Sequence, residues 1–173
     1  MNKNEIAKFE KVSFEQFKED WLNSFPLAPE EQIEMIYNEI LLPTRSTTGS
    51  AGYDFYLPDK VALHKYETVV IPTGIRCKID DGWMLAAFPR SGHGFKYGIH
   101  LANTVGIIDA DYYGADNEGH IQIKLVNDSL LTKDVIFDTH TAFCQGIFIP
   151  FGITVDDKAE AKRCGGFGST DGK

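Results

Sequence analysis

From Ile40 onward the apolar residues come in short bursts, each closed by Gly, Pro, Asn or Asp: ILLP, YDFYLP, VVIPTGI, WMLAAFP, IQIKLVN and AFCQGIFIPF. Bursts this short do not sustain a helical face. They fit β-strands, and their regular punctuation points to a sandwich, jelly roll or barrel. Pro43, Pro58, Pro72, Pro89 and Pro150 fall at the margins of these bursts. A proline donates no ladder hydrogen bond, so strand ends and edges are where it belongs.

Residues 13–38 have a different texture. Ser13-Phe14-Glu15-Gln16 reads as a capping box, with Ser13 as N-cap and Gln16 reaching back to it. Phe14, Phe17, Trp21 and Leu22 follow at helical spacing, and Pro26 stops the run. A second helix is expected near Pro29, with Glu30 and Glu31 in its first turn and Ile33, Ile36, Tyr37 and Ile40 on its apolar face. Such stripes are packing surfaces. Residues 5–12, IAKFEKVS, read as a first strand, which makes 13–38 an insertion into an all-β unit. A chain of 173 residues is expected to form one domain, 1–173, with a mobile, glycine-rich arm over 160–173.

Charge narrows the function. Lys and Arg number 17 against 25 Asp and Glu, a formal charge of −8. Non-specific nucleic-acid binding needs a basic surface and is not expected. A polyanionic ligand would need a local cluster of cations or a metal to overcome this field. No apolar run is long enough to span a membrane, and MNKNEIAKFEK has neither the apolar segment nor the cleavage site of a signal peptide. The expectation is a cytoplasmic protein. Cys77, Cys144 and Cys164 are widely spaced, without CxxC, which fits free thiols. The five histidines show no HxxxH or HExxH spacing.

Five segments combine glycine with polar residues in ways that packing does not require. Ala51-Gly52-Tyr53-Asp54 is the first. The second, Pro89-Arg90-Ser91-Gly92-His93-Gly94-Phe95-Lys96, follows an apolar strand and offers amides, a hydroxyl and two cations, which is anion-binding chemistry. The third, residues 103–114, NTVGIIDADYYG, reads as a hairpin projecting two carboxylates and an aromatic, able to hold a water or a metal. It reads equally as a solvated turn. In the fourth, CQGIF (144–148), Gln145 sits in an apolar strand and must find hydrogen-bond partners if buried. The fifth is the tail RCGGFGST (163–170), whose aromatic could close over a planar base while Arg163, Ser169 and Thr170 meet phosphate.

In this order the five segments resemble the five motifs of the homotrimeric deoxyuridine triphosphatases, the dUTPase family. The resemblance runs from about Ile40 to the C-terminus. It implies an all-β, β-clip jelly-roll subunit, here with a short helical insertion near the N-terminus, and a homotrimer whose three sites are each shared among subunits. It implies hydrolysis of dUTP to dUMP and pyrophosphate with Mg2+ carried on the triphosphate and no metal ligand from the protein itself. Such an activity limits uracil incorporation into DNA and supplies dUMP for dTMP synthesis.

The same resemblance assigns residues. Asp109 matches the general base that activates the attacking water. Arg90, Ser91 and Gly92 match the phosphate loop, and Gln145 a further phosphate contact. Asn103 and the backbone around Gly106 match the uracil pocket. Tyr112 matches the aromatic beneath the deoxyribose that leaves no room for a 2′-hydroxyl. Arg163, Ser169 and Thr170 match phosphate contacts of the tail, Phe167 the aromatic stacked on uracil, and Asp54 a supporting carboxylate. A carboxylate base of ordinary pKa is ionised at neutral pH and ready to accept a proton.

The chain departs from the pattern in places. Asp138-Thr139-His140-Thr141 replaces the usual lead-in to the fourth motif. Lys162 stands where many relatives carry the tail arginine, with Arg163 one residue on; a planar fork suits phosphate better than a point charge, which favours Arg163. The tail ends Ser-Thr-Asp-Gly-Lys rather than Ser-Thr-Gly. Residues 115–120, ADNEGH, lengthen the turn after the third motif. The rival deaminases of dCTP need a glutamate about where Lys124 stands. A regulatory module that uses a dUTP site as a switch is the alternative from another class.

Overall fold

Five of the six apolar bursts fold as strands, while ILLP (40–43) instead follows directly on the second helix, with Ile40 as its C-cap. The structure is a computed structural model describing residues 5–128, 134–160 and 165. Its strands are β1 (Ala7–Lys11), β2 (Tyr53–Tyr56), β3 (Val61–Leu63), β4 (Thr68–Pro72), β5 (Ile75–Ile79), β6 (Trp83–Pro89), β7 (Ile99–Leu101), β8 (Gly106–Ile108), β9 (Gln122–Asn127), β10 (Val135–Phe137) and β11 (Ala142–Pro150). Three short helices accompany them: α1 (Phe14–Ser24), α2 (Glu30–Glu39) and α3 (Ser91–Tyr97). A 3₁₀ turn covers Ala110–Gly114. Pro72, Pro89 and Pro150 each occupy the last position of a strand. The result is the expected all-β, jelly-roll-type fold.

All described strand pairs are antiparallel. The central sheet has the order β2-β11-β6-β8, and a three-stranded sheet has the order β4-β9-β7. Pairs β1-β5 and β3-β10 complete the structure. Residues 5–12 do supply a first strand, with Phe9 opposite Cys77 on β5. The described cysteines, Cys77 and Cys144, are free and buried, and burial pushes both thiols up to about 12, so they are inert.

The insertion folds as two helices. Phe17 and Ile33 are fully buried, and Trp21 and Ile36 nearly so. Each such side chain contributes ~1.5–3 kcal/mol. They join the strand residues in one hydrophobic cluster. Close approach is possible because Gly74, in the β4–β5 turn, has φ +72° and no side chain: a Cβ there would lie 2.3 Å from Ile40 Cδ1 and 3.3 Å from Phe17 Cδ2. Ser13 caps α1 as expected, accepting from the Gln16 amide at 3.1 Å. The reciprocal arm differs. Gln16 turns to Asp20, and the Ser13 amide donates instead to Glu118, 2.8 Å away. A partner 105 residues distant in sequence thus displaces the local one. Pro29 is the N-cap of α2 rather than its first residue. Of the arm 160–173, Lys162, Arg163, Phe167, Ser169 and Thr170 lie outside the described residues.

Candidate active site

Strand register brings three of the marked segments together. On β11, Gln145 lies opposite Asp54 of β2 on one side and opposite Phe88 of β6 on the other. Arg90 follows β6 directly and is the N-cap of α3. Its Nε lies 3.2 Å from Asp54 Oδ1, and its Nη1 donates to the Ala142 carbonyl at 3.3 Å. Gln145 Nε2 donates to the Pro89 carbonyl at 3.2 Å. Ser91 and Gly92 form the exposed first turn of α3 beside this cluster. A cavity of about 370 Å³ opens between Asp54, Arg90, Ser91, Gln145, Gly52 and Ser46.

Gly52 is required for this arrangement. A Cβ on it would stand 2.7 Å from Gln145 Oε1. Ser46, absent from the sequence-derived set, donates to Asp54 Oδ2 at 2.9 Å. Its only signal in the sequence is the polar run Ser46–Ser50 ahead of the first motif. The two Asp54 oxygens thus hold the Arg90 guanidinium on one side and Ser46 on the other. Two further residues of the second motif face a neighbouring cavity of about 430 Å³ beyond Arg90, namely His93 and Lys96. His93 stacks on Phe137 at 4.7 Å between ring centroids. Burial and the Arg90 charge lower its pKa, opposed by a backbone hydrogen bond at Phe143.

The third motif builds a separate wall. Asn103 and Thr104 turn the chain between β7 and β8, with Thr104 at φ +64°. Gly106 sits opposite Ala87, where a Cβ would come 3.3 Å from the Ala87 Cβ. Asn103, Gly106, Ile108, Val70 and Lys124 line a largely apolar cavity of about 390 Å³. Asp109 is exposed and caps the 3₁₀ turn, its carbonyl accepting from the Tyr112 amide at 3.2 Å. Tyr112 is buried, at 2% exposure. Its hydroxyl donates to the His120 carbonyl and accepts from Asn117 Nδ2, each at 2.8 Å. Two hydrogen bonds and burial thus set the orientation of the ring.

The two walls do not meet within one chain. Leu85 pairs with Ile108 and Ala87 with Gly106, so β8 runs back along β6 and delivers Asp109 beside Met84. Arg90 lies at the other end of that strand, about 20 Å away at ~3.3 Å per residue.

The family model described as dUTPase matches residues 38–171, most of the chain. The chain belongs to the dUTPase family. Among relatives of this dUTPase-family chain, the deoxyuridine 5′-triphosphate nucleotidohydrolase of Lactococcus lactis subsp. lactis is 39% identical over 134 residues. That match covers 76% of this chain and 88% of the relative. The enzyme of the same name from Paraburkholderia xenovorans is 36% identical over 137 residues, covering 75% and 88%. The crystal structure of dUTPase from Streptococcus mutans superposes with a TM-score of 0.64 at 30% identity, covering 84% of this chain and 97% of that one. A dUTPase from phage phi11 of S. aureus, described as carrying a species-specific insert, shares the fold at 18% identity. Its TM-score is 0.61, with 90% and 96% covered. The family match begins at residue 38, so α1 and nearly all of α2 lie outside it.

Proposed function

We propose that this dUTPase-family protein hydrolyses dUTP to dUMP and pyrophosphate in the cytoplasm, as a homotrimer of single-domain chains. The observation that carries the reading is the convergence of Asp54, Arg90, Ser91 and Gln145, from three marked segments, on one cavity. Arg90 supplies a fork for phosphate oxygens, pre-aimed by Asp54, and Gln145 and the Ser91 hydroxyl supply further donors. Asp109 orients a water and takes its proton as the new oxygen–phosphorus bond forms at the α-phosphate. The bond from that phosphorus to the bridging oxygen breaks, and pyrophosphate leaves with the bond electrons.

The ~20 Å between Asp109 and Arg90 along β6 exceeds the span of a triphosphate. Base and phosphate loop therefore serve one substrate when they come from different copies of the chain. Asn103 and the Gly106 backbone read uracil, and Tyr112 closes the space a 2′-hydroxyl would need. Arg163, Ser169 and Thr170 of the arm complete the phosphate contacts, and Phe167 stacks on the base. Mg2+ fits this donor set as an ion carried on triphosphate oxygens, because Asp54 is already engaged by Arg90 and Ser46. When bound, it neutralises phosphate charge that a chain of net charge −8 would otherwise repel.

The deaminase reading loses its glutamate to Lys124, which lines the Asn103 cavity. The regulatory reading is not favoured, since the relatives are named as nucleotidohydrolases. Pyrophosphate release from dUTP, measured beside dCTP, UTP and dTTP with and without Mg2+, tests the function. Magnesium-dependent turnover of dUTP alone is expected. Binding of dUTP without turnover would overturn it.

A further inference from the structure

The turn after the third motif is gripped by the helical insertion at two places. Glu118 accepts from the Ser13 amide at 2.8 Å and from the Ser13 hydroxyl at 2.7 Å, which fastens the turn to the N-cap of α1. Two turns further along α1, Asp20 Oδ2 lies 2.5 Å from Nδ1 of His120, a fully buried residue. The Gly74 amide points at the other ring nitrogen, Nε2, at 2.8 Å. Nε2 is thus an acceptor, the proton sits on Nδ1, and Asp20 accepts it. One ring therefore joins α1 to the β4–β5 turn.

The same residue holds the nucleoside wall. The His120 carbonyl accepts the Tyr112 hydroxyl, and the His120 amide donates to Asn117, whose side chain bonds that hydroxyl. Gly119, at φ +71°, lets the turn fold tightly back: a Cβ there would stand 2.6 Å from the Tyr112 carbonyl. A continuous set of short contacts runs Asp20–His120–Tyr112. Its first member belongs to a segment that the family match leaves out.

We propose that Asp20, acting through His120, is a positioning residue for Tyr112, so that the helical insertion serves as a brace for sugar selection. The proposal rests on the reading of Tyr112 given under the proposed function. A rigid floor discriminates by leaving a 2′-hydroxyl no space, and a floor free to shift relaxes that rejection. Asp20→Ala leaves the buried Nδ1 proton unpaired and the ring held by the Gly74 amide alone, which loosens the hold on the His120 carbonyl. Asp20→Asn keeps an oxygen acceptor for that proton.

The experiment compares kcat/KM for dUTP and UTP, with melting temperature, in the full-length protein and three variants: Asp20→Asn, Asp20→Ala and Tyr112→Phe. Asp20→Ala is expected to lower the dUTP/UTP ratio about tenfold, chiefly through KM, and Asp20→Asn to restore it. Tyr112→Phe removes the tethered hydroxyl and should lower the ratio similarly. Adding Asp20→Ala to Tyr112→Phe should then cost little more, because both cut one connection. If Asp20→Ala does not fold, Asn117→Ala removes the other partner of the hydroxyl from a half-exposed turn and takes its place. A lowered melting temperature with an unchanged ratio, or losses that multiply in the double variant, would overturn the brace. Wild-type protein that hydrolyses dUTP and UTP equally would instead remove the sugar-selection reading, and the brace with it.

Discussion

Asp54 and Arg90, which are 36 residues apart (90 − 54), meet at 3.2 Å between Oδ1 and Nε. The contact uses the edge of the guanidinium and leaves the rest of the fork available, with Nη1 steadied by the Ala142 carbonyl. It is partly open to solvent, so its value for stability is small. What it does is fix the direction of the Arg90 guanidinium beside the cavity that Asp54, Ser91 and Gln145 also line.

Asp54→Asn should therefore reduce kcat/KM for dUTP by about ten- to a hundredfold while moving the melting temperature little. Steady-state kinetics beside a thermal melt check this. Full activity would mean that Arg90 is aimed by the strand alone.

Gly52→Ala tests the geometry of Gln145. The added carbon would stand 2.7 Å from Gln145 Oε1, and the side chain must swing away. Turnover should fall about tenfold or more, and folding should survive because Gln145 is the flexible partner. Unchanged kinetics would remove Gln145 from the phosphate contacts.

The insertion docks on bare backbone at Gly74. Gly74→Ala adds a left-handed strain and a 2.3 Å collision with Ile40 Cδ1. A loss of about 2–4 kcal/mol in denaturant unfolding is expected. A neutral variant would show that the helices can lift away freely.

Acid should loosen the same region. Hydrogen bonds from Lys8 and Tyr113 hold Glu10 at about 2. Burial raises Asp20 and Glu118, but hydrogen bonds from His120 and Gln16, and from Ser13, more than offset it and leave both below the usual range. Carboxylates depressed in the folded state stabilise it above their unfolded values, near ~4, and lose that contribution as pH falls through the folded values. The melting temperature should therefore drop between about pH 4 and pH 2, and less steeply in Asp20→Asn. A flat profile in the wild type would contradict the linkage.

Strands and helices were legible because buried strands leave short apolar bursts closed by turn residues, and a buried helix face leaves helical spacing. Phe17, Trp21, Ile33 and Ile36 point inward as their spacing requires. The clustering of Asp54, Arg90 and Gln145 was legible because each sits in a glycine-bearing segment of distinctive order. Long-range polar partners left no such trace. Glu118 displaced Gln16 at the α1 cap, and Ser46 reached Asp54, through geometry that only the assembled sheets create. The separation of Asp109 from Arg90 along β6 likewise depends on register, which residue order alone does not display.

Subunit mixing tests the central claim most directly. Arg90→Ala and Asp109→Asn each remove one wall of the site, and each alone should lower turnover by about 10²–10⁴-fold. Co-expressed in equal amounts, the two inactive chains should recover about a quarter of wild-type dUTP hydrolysis, because random assembly pairs an intact Arg90 with an intact Asp109 at that frequency. No recovery in confirmed mixed oligomers would mean that both residues serve a site from the same chain, and the shared-site account would fall.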